Sequence, residues 1–232
     1  MNEKSLRDFY ERPMERVLAD PLRHEAHQAL LAGLESGALR AAEPEGDGWR
    51  VNAWVKQAIL AGFRMTGLEA MPGPGFPFFD KTAYPARSLA LADGIRLVPG
   101  GSSLRRGAFV AKGVVIMPPA YINVGAYVDT GSLVDSHALV GCCAQVGKRG
   151  HVSAAAQIGG VLEPAGARPV IVEDDAFLGG LTGLFEGVRV GRRAVLASGV
   201  VLTASTVLYD LVHQCTWTRE VPEGAVVVPG SR

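Results

Sequence analysis

The sequence predicts a mainly β protein, a parallel β-helix of hexapeptide repeats that follows an N-terminal α-helical domain. Three observations predict this fold class. Apolar residues recur at helical spacing in the first 72 residues, an aliphatic residue recurs at every sixth position in the later part, and a small residue usually stands four positions after each aliphatic one. With 232 residues, 48% of them hydrophobic, the chain can bury a substantial core.

The first third of the chain predicts two helices, in LRHEAHQALLAGLESG and in VNAWVKQAILAGFRM. The first apolar stripe contains Leu22, Ala26, Ala29, Leu30 and Leu34, and the second contains Val51, Trp54, Val55, Ala58, Ile59 and Phe63. The stretch EPEGDG predicts a turn-rich connector, and PGPGFPFFD, residues 72–80, predicts a linker. We expect a helical domain with its linker over 1–100, the β-helix over 101–210 and a short C-terminal segment over 211–232.

From Leu104 onward, an aliphatic residue stands at every sixth position. A parallel β-helix with three short strands per turn accounts for this period, because each face then buries one aliphatic side chain per coil. The predicted interior residues are Leu104, Val110, Ile116, Ile122, Val128, Val134, Val140, Val146, Val152 and Ile158, then Val172, Leu178, Leu184, Val190, Leu196, Leu202 and Leu208. The 14-residue step between the two runs exceeds two hexads, which predicts an outward excursion around residues 162–168.

Composition and charge exclude several partners and locations. The 23 Lys and Arg residues balance 23 Asp and Glu residues, so no net charge attracts nucleic acid or an anionic membrane. No apolar run approaches the roughly 18 residues of a membrane span, and the first residues lack the apolar region of a secretory signal. We expect a cytoplasmic protein with no nucleic-acid or membrane partner.

The sequence contains no metal-ligand spacing and no phosphate-binding loop of the Walker or dinucleotide type. Cys142, Cys143 and Cys215 form neither a disulfide framework nor a zinc motif, so we expect reduced thiols, with Cys142 and Cys143 filling the core or its wall. We therefore expect no metal and no tightly bound cofactor.

A hexapeptide repeat alone is compatible with a structural rod or with an acyltransferase. Several further segments favour the acyltransferase: SGALRAAEP, VNAWVKQAILAGFR, FPFFDK, RLVP, MPPAYINVGAYVDTGSLVD, VGCCAQVGK, IGGVLEP, PVIVEDDAFLG and VPEGAVVV. Together they resemble the tetrahydrodipicolinate N-succinyltransferases, the acyl-CoA enzymes of lysine biosynthesis. The resemblance implies an N-terminal helical domain, a left-handed β-helix and a homotrimer with active sites between subunits.

The resemblance also implies site residues. Asp135 is expected to orient or deprotonate the attacking amine, and Arg96 to grip a substrate carboxylate bidentately. Ser153 is expected to contact the substrate with them. The alternative for Asp135 is a corner residue that accepts hydrogen bonds from backbone amides, and Asp129, one hexad earlier, is expected to be that structural case. The alternative for Arg96 is a solvated charge near the linker.

The chain departs from the family pattern in LGGLTGLFEG, residues 178–187. Where the family typically has Gly-Ala-Arg-Ser-Glu, this chain has Gly-Gly-Leu-Thr-Gly, so the usual catalytic glutamate is replaced by Gly183 and a nearby arginine by Leu181. Glu186, three residues after Gly183, is expected at or past a corner and therefore away from the position of the missing glutamate. The resemblance also implies a C-terminal extension that helps close the acyl-CoA groove; because the sequence ends in VVVPGSR, we expect the acyl donor to be held differently.

The sequence is first interpreted as that of an acyl-CoA-dependent N-acyltransferase acting on a small amino-dicarboxylate or a related amino acid. Acyl-CoA, with succinyl-CoA as the first candidate, is then the co-substrate. Two alternatives stay open: a catalytically silent homologue that binds a ligand or partner, and an acyltransferase of a specialised pathway. Gly183 is the feature that separates the silent homologue from the enzyme.

Overall fold

The computed structural model describes residues 1–72 and 77–230, and its N-terminal part contains a helical domain. The helices are α1, Glu3–Tyr10; α2, Met14–Ala19; α3, Arg23–Glu35; and α4, Ala53–Met65. The two predicted helices are confirmed as α3 and α4, while α1 and α2 were not predicted. All four contribute to one core, in which Leu30, Val55 and Ile59 are completely buried.

Two residues of the predicted helical stripes lie outside the helices. Leu22 precedes α3 and is 50% exposed, and Val51 ends a β-strand. The turn predicted at EPEGDG lies at Gly46 and Asp47, but it joins two strands, because Ala42–Glu45 pairs antiparallel with Gly48–Val51. We call this element the 42–51 hairpin.

A second antiparallel hairpin borders the predicted linker. Its strands are Leu68–Met71 and Phe78–Lys81. The linker prediction over residues 72–80 therefore includes part of a strand, while residues 73–76 lie outside the described residues. A single 3-10 turn, Leu91–Asp93, follows before the β-helix begins.

The rest of the described chain is mainly a left-handed parallel β-helix with three faces, which confirms the predicted fold class. We number the faces in the order in which the chain visits them. Face 1 contains strands Arg96–Leu97, Val115–Ile116, Leu133–Val134, His151–Val152, Phe177–Leu178, Val195–Leu196 and Val226–Val227. Face 2 contains Ser103–Leu104, Tyr121–Ile122, Leu139–Val140, Gln157–Ile158, Gly183–Leu184 and Val201–Leu202. Face 3 contains Phe109–Val110, Tyr127–Val128, Gln145–Val146, Ile171–Val172, Arg189–Val190 and Glu220–Val221.

The period of six produces a stacked aliphatic interior. In the two-residue strands from Ser103–Leu104 onward the second residue points inward, and every predicted aliphatic from Leu104 to Leu202 is buried. Val140, for example, is completely buried and stands in register between Ile122 and Ile158 of the neighbouring coils. The small residues at the corners let the chain turn while the aliphatic side chains stay in contact.

The β-helix extends past both expected boundaries. Its first strand, Arg96–Leu97, precedes residue 101 and pairs with Val115–Ile116. Beyond residue 210, Glu220–Val221 and Val226–Val227 add the last strands of faces 3 and 1. The segment after 210 therefore returns to the β-helix.

Before that return, the chain leaves the β-helix in a hairpin. Its strands, Val207–Asp210 and Cys215–Thr218, pair antiparallel. Leu208 lies in this hairpin opposite Trp217 and packs, partly buried, against the interior cluster, so its predicted place in a stacked strand of the β-helix is wrong. The hexad spacing thus continues into a segment that forms an antiparallel hairpin.

The predicted excursion between Ile158 and Val172 contains no strand, and it packs against the helical domain. The Lys56 ammonium on α4 donates to the carbonyl of Pro164 at 3.1 Å and to that of Ala167 at 2.7 Å. Burial lowers the pKa of Lys56. Two carbonyl acceptors thus offset part of the cost of burying this cation, and they fix the excursion to α4.

The helical domain also covers face 3. Arg40 donates to Oε1 of Gln145 at 3.0 Å, and Trp49 donates through Nε1 to Oε1 of Glu173 at 2.8 Å. Ile171, which points outward on this face, is completely buried. On face 1 every outward residue is at least partly exposed, as are most on face 2, so these two faces border the surface of the protomer.

Within the described residues, none of the helices has the length and apolar character needed to cross a membrane.

Candidate active site

The structure brings Asp135 and Ser153 together at the corner between faces 1 and 2. Asp135 directly follows a strand of face 1, and Ser153 follows the next strand of the same face. The Asp135 amide donates to the carbonyl of Val152 at 2.9 Å, which places the two residues at equivalent positions of adjacent coils. Neighbouring parallel strands lie roughly 4.8 Å apart, so the two side chains leave the corner side by side. We call this corner, residues 135–138, 153–156 and 179–182, the Asp135 edge.

One oxygen of the half-buried Asp135 carboxylate is held by its own turn. Oδ1 accepts a hydrogen bond from the Ser136 amide at 2.7 Å, and Oδ2 has no hydrogen-bond partner in the described part of the chain. Asp129 makes the same turn contact with the Thr130 amide, also at 2.7 Å. The structural role expected for Asp129 is therefore shared by Asp135, and the free oxygen beside Ser153 remains available for a substrate.

Ser153 is only 9% exposed, and its hydroxyl also has no hydrogen-bond partner among the described residues. Arg96 does not contact either of them. It lies in the first strand of face 1, in register with Val115, which in turn is in register with Leu133 two residues before Asp135. Two strand spacings correspond to roughly 10 Å along the axis. The Arg96 side chain is exposed on the outer surface of face 1, at the start of the β-helix.

A feature that sequence reasoning missed lies beside the Asp135 edge, where the Phe185 ring covers two glycines of face 2. A Cβ built on Gly159 would lie 2.6 Å from Cδ1 of Phe185, and a Cβ on Gly183 would lie 2.7 Å from its Cε2. The space expected for a glutamate side chain at position 183 is thus filled by an aromatic ring. The only signal of this feature in the sequence was the pair of glycines, Gly159 and Gly183, because each leaves room for the Phe185 ring.

The remaining candidates do not complete the site. Glu186 lies at the far corner of face 2, as predicted, and its Oε2 accepts from the Ala204 amide at 3.0 Å. His151 stacks on Phe177 on face 1 with ring centroids 4.6 Å apart. Leu181 occupies the tip of the Asp135 edge and is 69% exposed. The edge therefore presents the Asp135 carboxylate, the hydroxyls of Ser136 and Ser153, the exposed His137 ring and the apolar Leu181, while Thr182 is buried.

Cys142 and Cys143 lie in or beside the core, as predicted. Cys143 is completely buried against the helical domain, and Cys142 is half-buried. Burial raises the pKa values of both thiols, which keeps them protonated and unreactive. Cys215 is exposed on the 207–218 hairpin. In the described residues, no group of three or more His, Cys, Asp or Glu side chains could hold a metal ion.

Two family models match the chain. Residues 7–65 match the N-terminal domain of tetrahydrodipicolinate N-succinyltransferase, and residues 169–204 match the hexapeptide repeat of succinyl-transferase. Among solved structures, a putative 2,3,4,5-tetrahydropyridine-2-carboxylate N-succinyltransferase from Campylobacter jejuni superposes with a TM-score of 0.50 at 20% identity. That match covers 80% of this chain and 50% of the other, and it supports the fold.

Curated relatives carry the stronger evidence of descent. The 2,3,4,5-tetrahydropyridine-2,6-dicarboxylate N-succinyltransferase of Bradyrhizobium diazoefficiens is 47% identical over 216 residues, covering 89% of this chain and 75% of the relative. The enzyme of the same name from Gluconobacter oxydans is 50% identical, covering 88% of this chain and 75% of the relative. Identity at this level extends through both the helical domain and the β-helix. The chain belongs to the tetrahydrodipicolinate N-succinyltransferase family.

Proposed function

We propose that the protein is an acyl-CoA-dependent N-acyltransferase that transfers a succinyl group to the amine of a small amino-dicarboxylate, as in lysine and diaminopimelate biosynthesis. The observation that carries this proposal is the 47–50% identity, over nearly nine-tenths of the chain, to enzymes named for this reaction. The proposed co-substrate is succinyl-CoA, and the proposed location is the cytoplasm, where acyl-CoA is available.

In the proposed mechanism, the amine nitrogen attacks the thioester carbonyl and the C–S bond breaks. The products are an amide and the CoA thiol, so one amine proton must leave and the sulfur must gain one. Asp135 would accept the amine proton through Oδ2 and pass it to the departing thiolate sulfur, while Oδ1 stays bound to the Ser136 amide and fixes the carboxylate plane. Backbone amides at the edge would polarise the carbonyl oxygen as its charge develops.

Binding of the acceptor would use Ser153 and Arg96. The Ser153 hydroxyl lies one coil from Asp135 and can donate to a substrate oxygen, and the Arg96 guanidinium can hold a carboxylate bidentately. The roughly 10 Å between Arg96 and Asp135 along the axis suits a substrate whose amine and distal carboxylate lie several bonds apart.

We also propose that the enzyme is a homotrimer with each site between subunits. Faces 1 and 2 are not covered by the helical domain, and large apolar side chains are exposed there and nearby: Leu97, Phe177, Leu181, Val201, Val226 and Val228. Such surface is costly to leave in water, and packing of a second copy would bury it. Sedimentation should show a trimer at micromolar concentration, and a monomer would argue against shared sites.

Thiol release with succinyl-CoA, acetyl-CoA and a panel of amino acids tests the reaction. Succinyl-CoA with an amino-dicarboxylate should release thiol at an enzyme-dependent rate, with amide formation confirmed by mass spectrometry. The replacement of the family glutamate by Gly183 favours one rival, a silent homologue that binds a ligand without turnover. Binding of an amino-dicarboxylate with no release from either acyl-CoA would support that rival.

A further inference from the structure

A second opening lies at a different edge of the β-helix, between faces 3 and 1. It is a cleft of about 460 Å³, bounded on one side by the corners that follow face 3 and on the other by the 42–51 hairpin. Asp135 follows face 1, so this cleft is separate from the Asp135 edge of the same protomer. Its lining contains both cationic and acidic side chains.

Arg40 is a half-buried cation of the cleft and has no carboxylate within ion-pair distance among the described residues. Its guanidinium carbon lies 3.7 Å from the ring centroid of Tyr127 and 5.5 Å from that of Trp49. Nε donates to Gln145, which is completely buried. The guanidinium is therefore held in place by two rings and one amide, while its two terminal nitrogens have no hydrogen-bond partner in the described chain.

Two further cations of the cleft, Lys148 and Arg192, also lack a carboxylate partner in the part of the chain that the structure describes. Both are exposed and lie on corners that follow face 3. Because their side chains are not committed to internal ion pairs, they can close over a bound anion without losing existing contacts.

The acidic groups of the cleft are mostly engaged. Glu173 accepts from Trp49, from Nε of Arg189 at 2.8 Å and from the Arg192 amide at 3.2 Å. The other engaged carboxylates are Asp174 with the Lys148 amide, Asp129 with the Thr130 amide and Glu223 with Arg193. Among the acidic lining residues, Asp47 alone has no described side-chain partner, although Asp129 and Asp174 each keep one free oxygen. By the ion-pair criterion applied to the cations, Asp47, Asp129 and Asp174 likewise have no partner among the described residues, so three unpaired cations share the cleft with three unpaired carboxylates, two of which are held by backbone amides.

We propose that this cleft binds a small molecule carrying two or more negative charges, either a phosphate ester or a polycarboxylate. Arg40 holds one anionic group bidentately, Lys148 and Arg192 hold the second, and the face of Trp49 forms the wall. A planar guanidinium fixed by stacking is suited to such recognition, because little side-chain freedom is lost on binding. This site goes beyond the proposed acyl transfer and does not depend on it.

Calorimetric titration of the full-length protein with pyrophosphate and with citrate, at constant ionic strength, tests the proposal. Wild type should bind at least one of the two, and the tighter one identifies the class of anion. Arg40→Gln should weaken binding about tenfold or more, the usual effect of losing a hydrogen bond to a charged group. Arg192→Gln, at an exposed position, should weaken it severalfold and keeps the test valid if Arg40→Gln fails to fold.

Arg149→Gln is the matched control. Arg149 neighbours Lys148 in sequence but does not line the cleft, and it is paired with Asp175 at 2.6 Å. Its replacement should change affinity less than twofold. The proposal is overturned if neither anion binds, or if Arg149→Gln weakens binding as much as Arg192→Gln. Displacement of the anion by saturating CoA would also overturn it, because the cleft would then belong to a coenzyme groove.

Discussion

Restoring a carboxylate at position 183 tests whether Gly183 has only removed an acid from an otherwise intact site. The structure shows that Gly183→Glu is not a simple addition, because its Cβ would lie 2.7 Å from Cε2 of Phe185 and 3.4 Å from Cγ1 of Val201. The Phe185 ring must leave the face for the glutamate to enter. Phe185 is 36% exposed, so it keeps about two-thirds of its burial. At roughly 1.5–3 kcal/mol for full burial, moving the ring into water costs about 1–2 kcal/mol.

The single variant should therefore be less stable than wild type by about that amount and should gain little activity. Gly183→Glu combined with Phe185→Ala opens the face, so the new carboxylate can occupy the vacated space near the Asp135 edge. General acid or base assistance typically contributes roughly 10²–10⁴-fold, and even a partial gain in kcat/KM for succinyl transfer is measurable. Phe185→Ala alone is the control for the loss of the ring.

The assay is succinyl-CoA-dependent thiol release, with the folded fraction of each variant fixed by circular dichroism and urea unfolding. The double variant should exceed both wild type and Phe185→Ala in kcat/KM. If the double variant folds as well as Phe185→Ala yet is no faster, then Gly183 does not stand in the place of a missing acid.

The remaining predictions concern stability. Val140→Thr should lower the free energy of unfolding by roughly 1–3 kcal/mol in urea, because it buries a hydroxyl with no partner in the stacked interior. Gly125→Ala should be more destabilising than Gly199→Ala. Both glycines have positive φ, which costs alanine roughly 1–2 kcal/mol. Only at Gly125 would the new Cβ also crowd neighbours, Ile59 Cδ1 at 2.8 Å and Cys143 Sγ at 3.0 Å. Hydrogen bonds from the His213 amide and ring and from the Val212 amide lower the pKa of Asp210 to about 2. The ionised Asp210 should therefore stabilise the 207–218 hairpin fully above about pH 4, and this stabilisation should be lost as the pH falls towards 2. Amide exchange of the hairpin measures the loss.

The repeat was readable from sequence because its signal is local. Each hexad places one aliphatic residue inward without reference to distant parts of the chain, so the stacking of Val140 between Ile122 and Ile158 follows from spacing alone. The same locality explains the error at Leu208, which keeps the phase of the repeat but pairs with Trp217 in a hairpin.

Features that depend on distant partners could not be predicted. The buried Lys56 is explained only by the carbonyls of Pro164 and Ala167, more than 100 residues away. Trp49, which directly follows the stretch predicted as a connector, orients Glu173. The cleft exists because that segment is a hairpin placed against face 3.

The candidate site was predicted in part. The corner position of Asp135 follows from the repeat, since it comes directly after an inward aliphatic residue. Its proximity to Ser153 follows from three hexads per coil, which place residues 18 apart in adjacent coils. The Phe185 ring over Gly183 was not predictable, because a side-chain rotamer over two coils depends on which neighbours are glycines.

The most direct test of the account compares succinyl transfer by wild type, Asp135→Asn and Asp175→Asn. Asparagine keeps the oxygen that accepts from the Ser136 amide, so Asp135→Asn removes the charge and the basic oxygen while the corner stays intact. Asp175→Asn makes the same chemical change at an exposed corner, where the carboxylate is paired with Arg149. The account predicts that Asp135→Asn lowers kcat by roughly 10²-fold or more and that Asp175→Asn leaves it within twofold of wild type. Equal activity in all three proteins would contradict a catalytic role for Asp135.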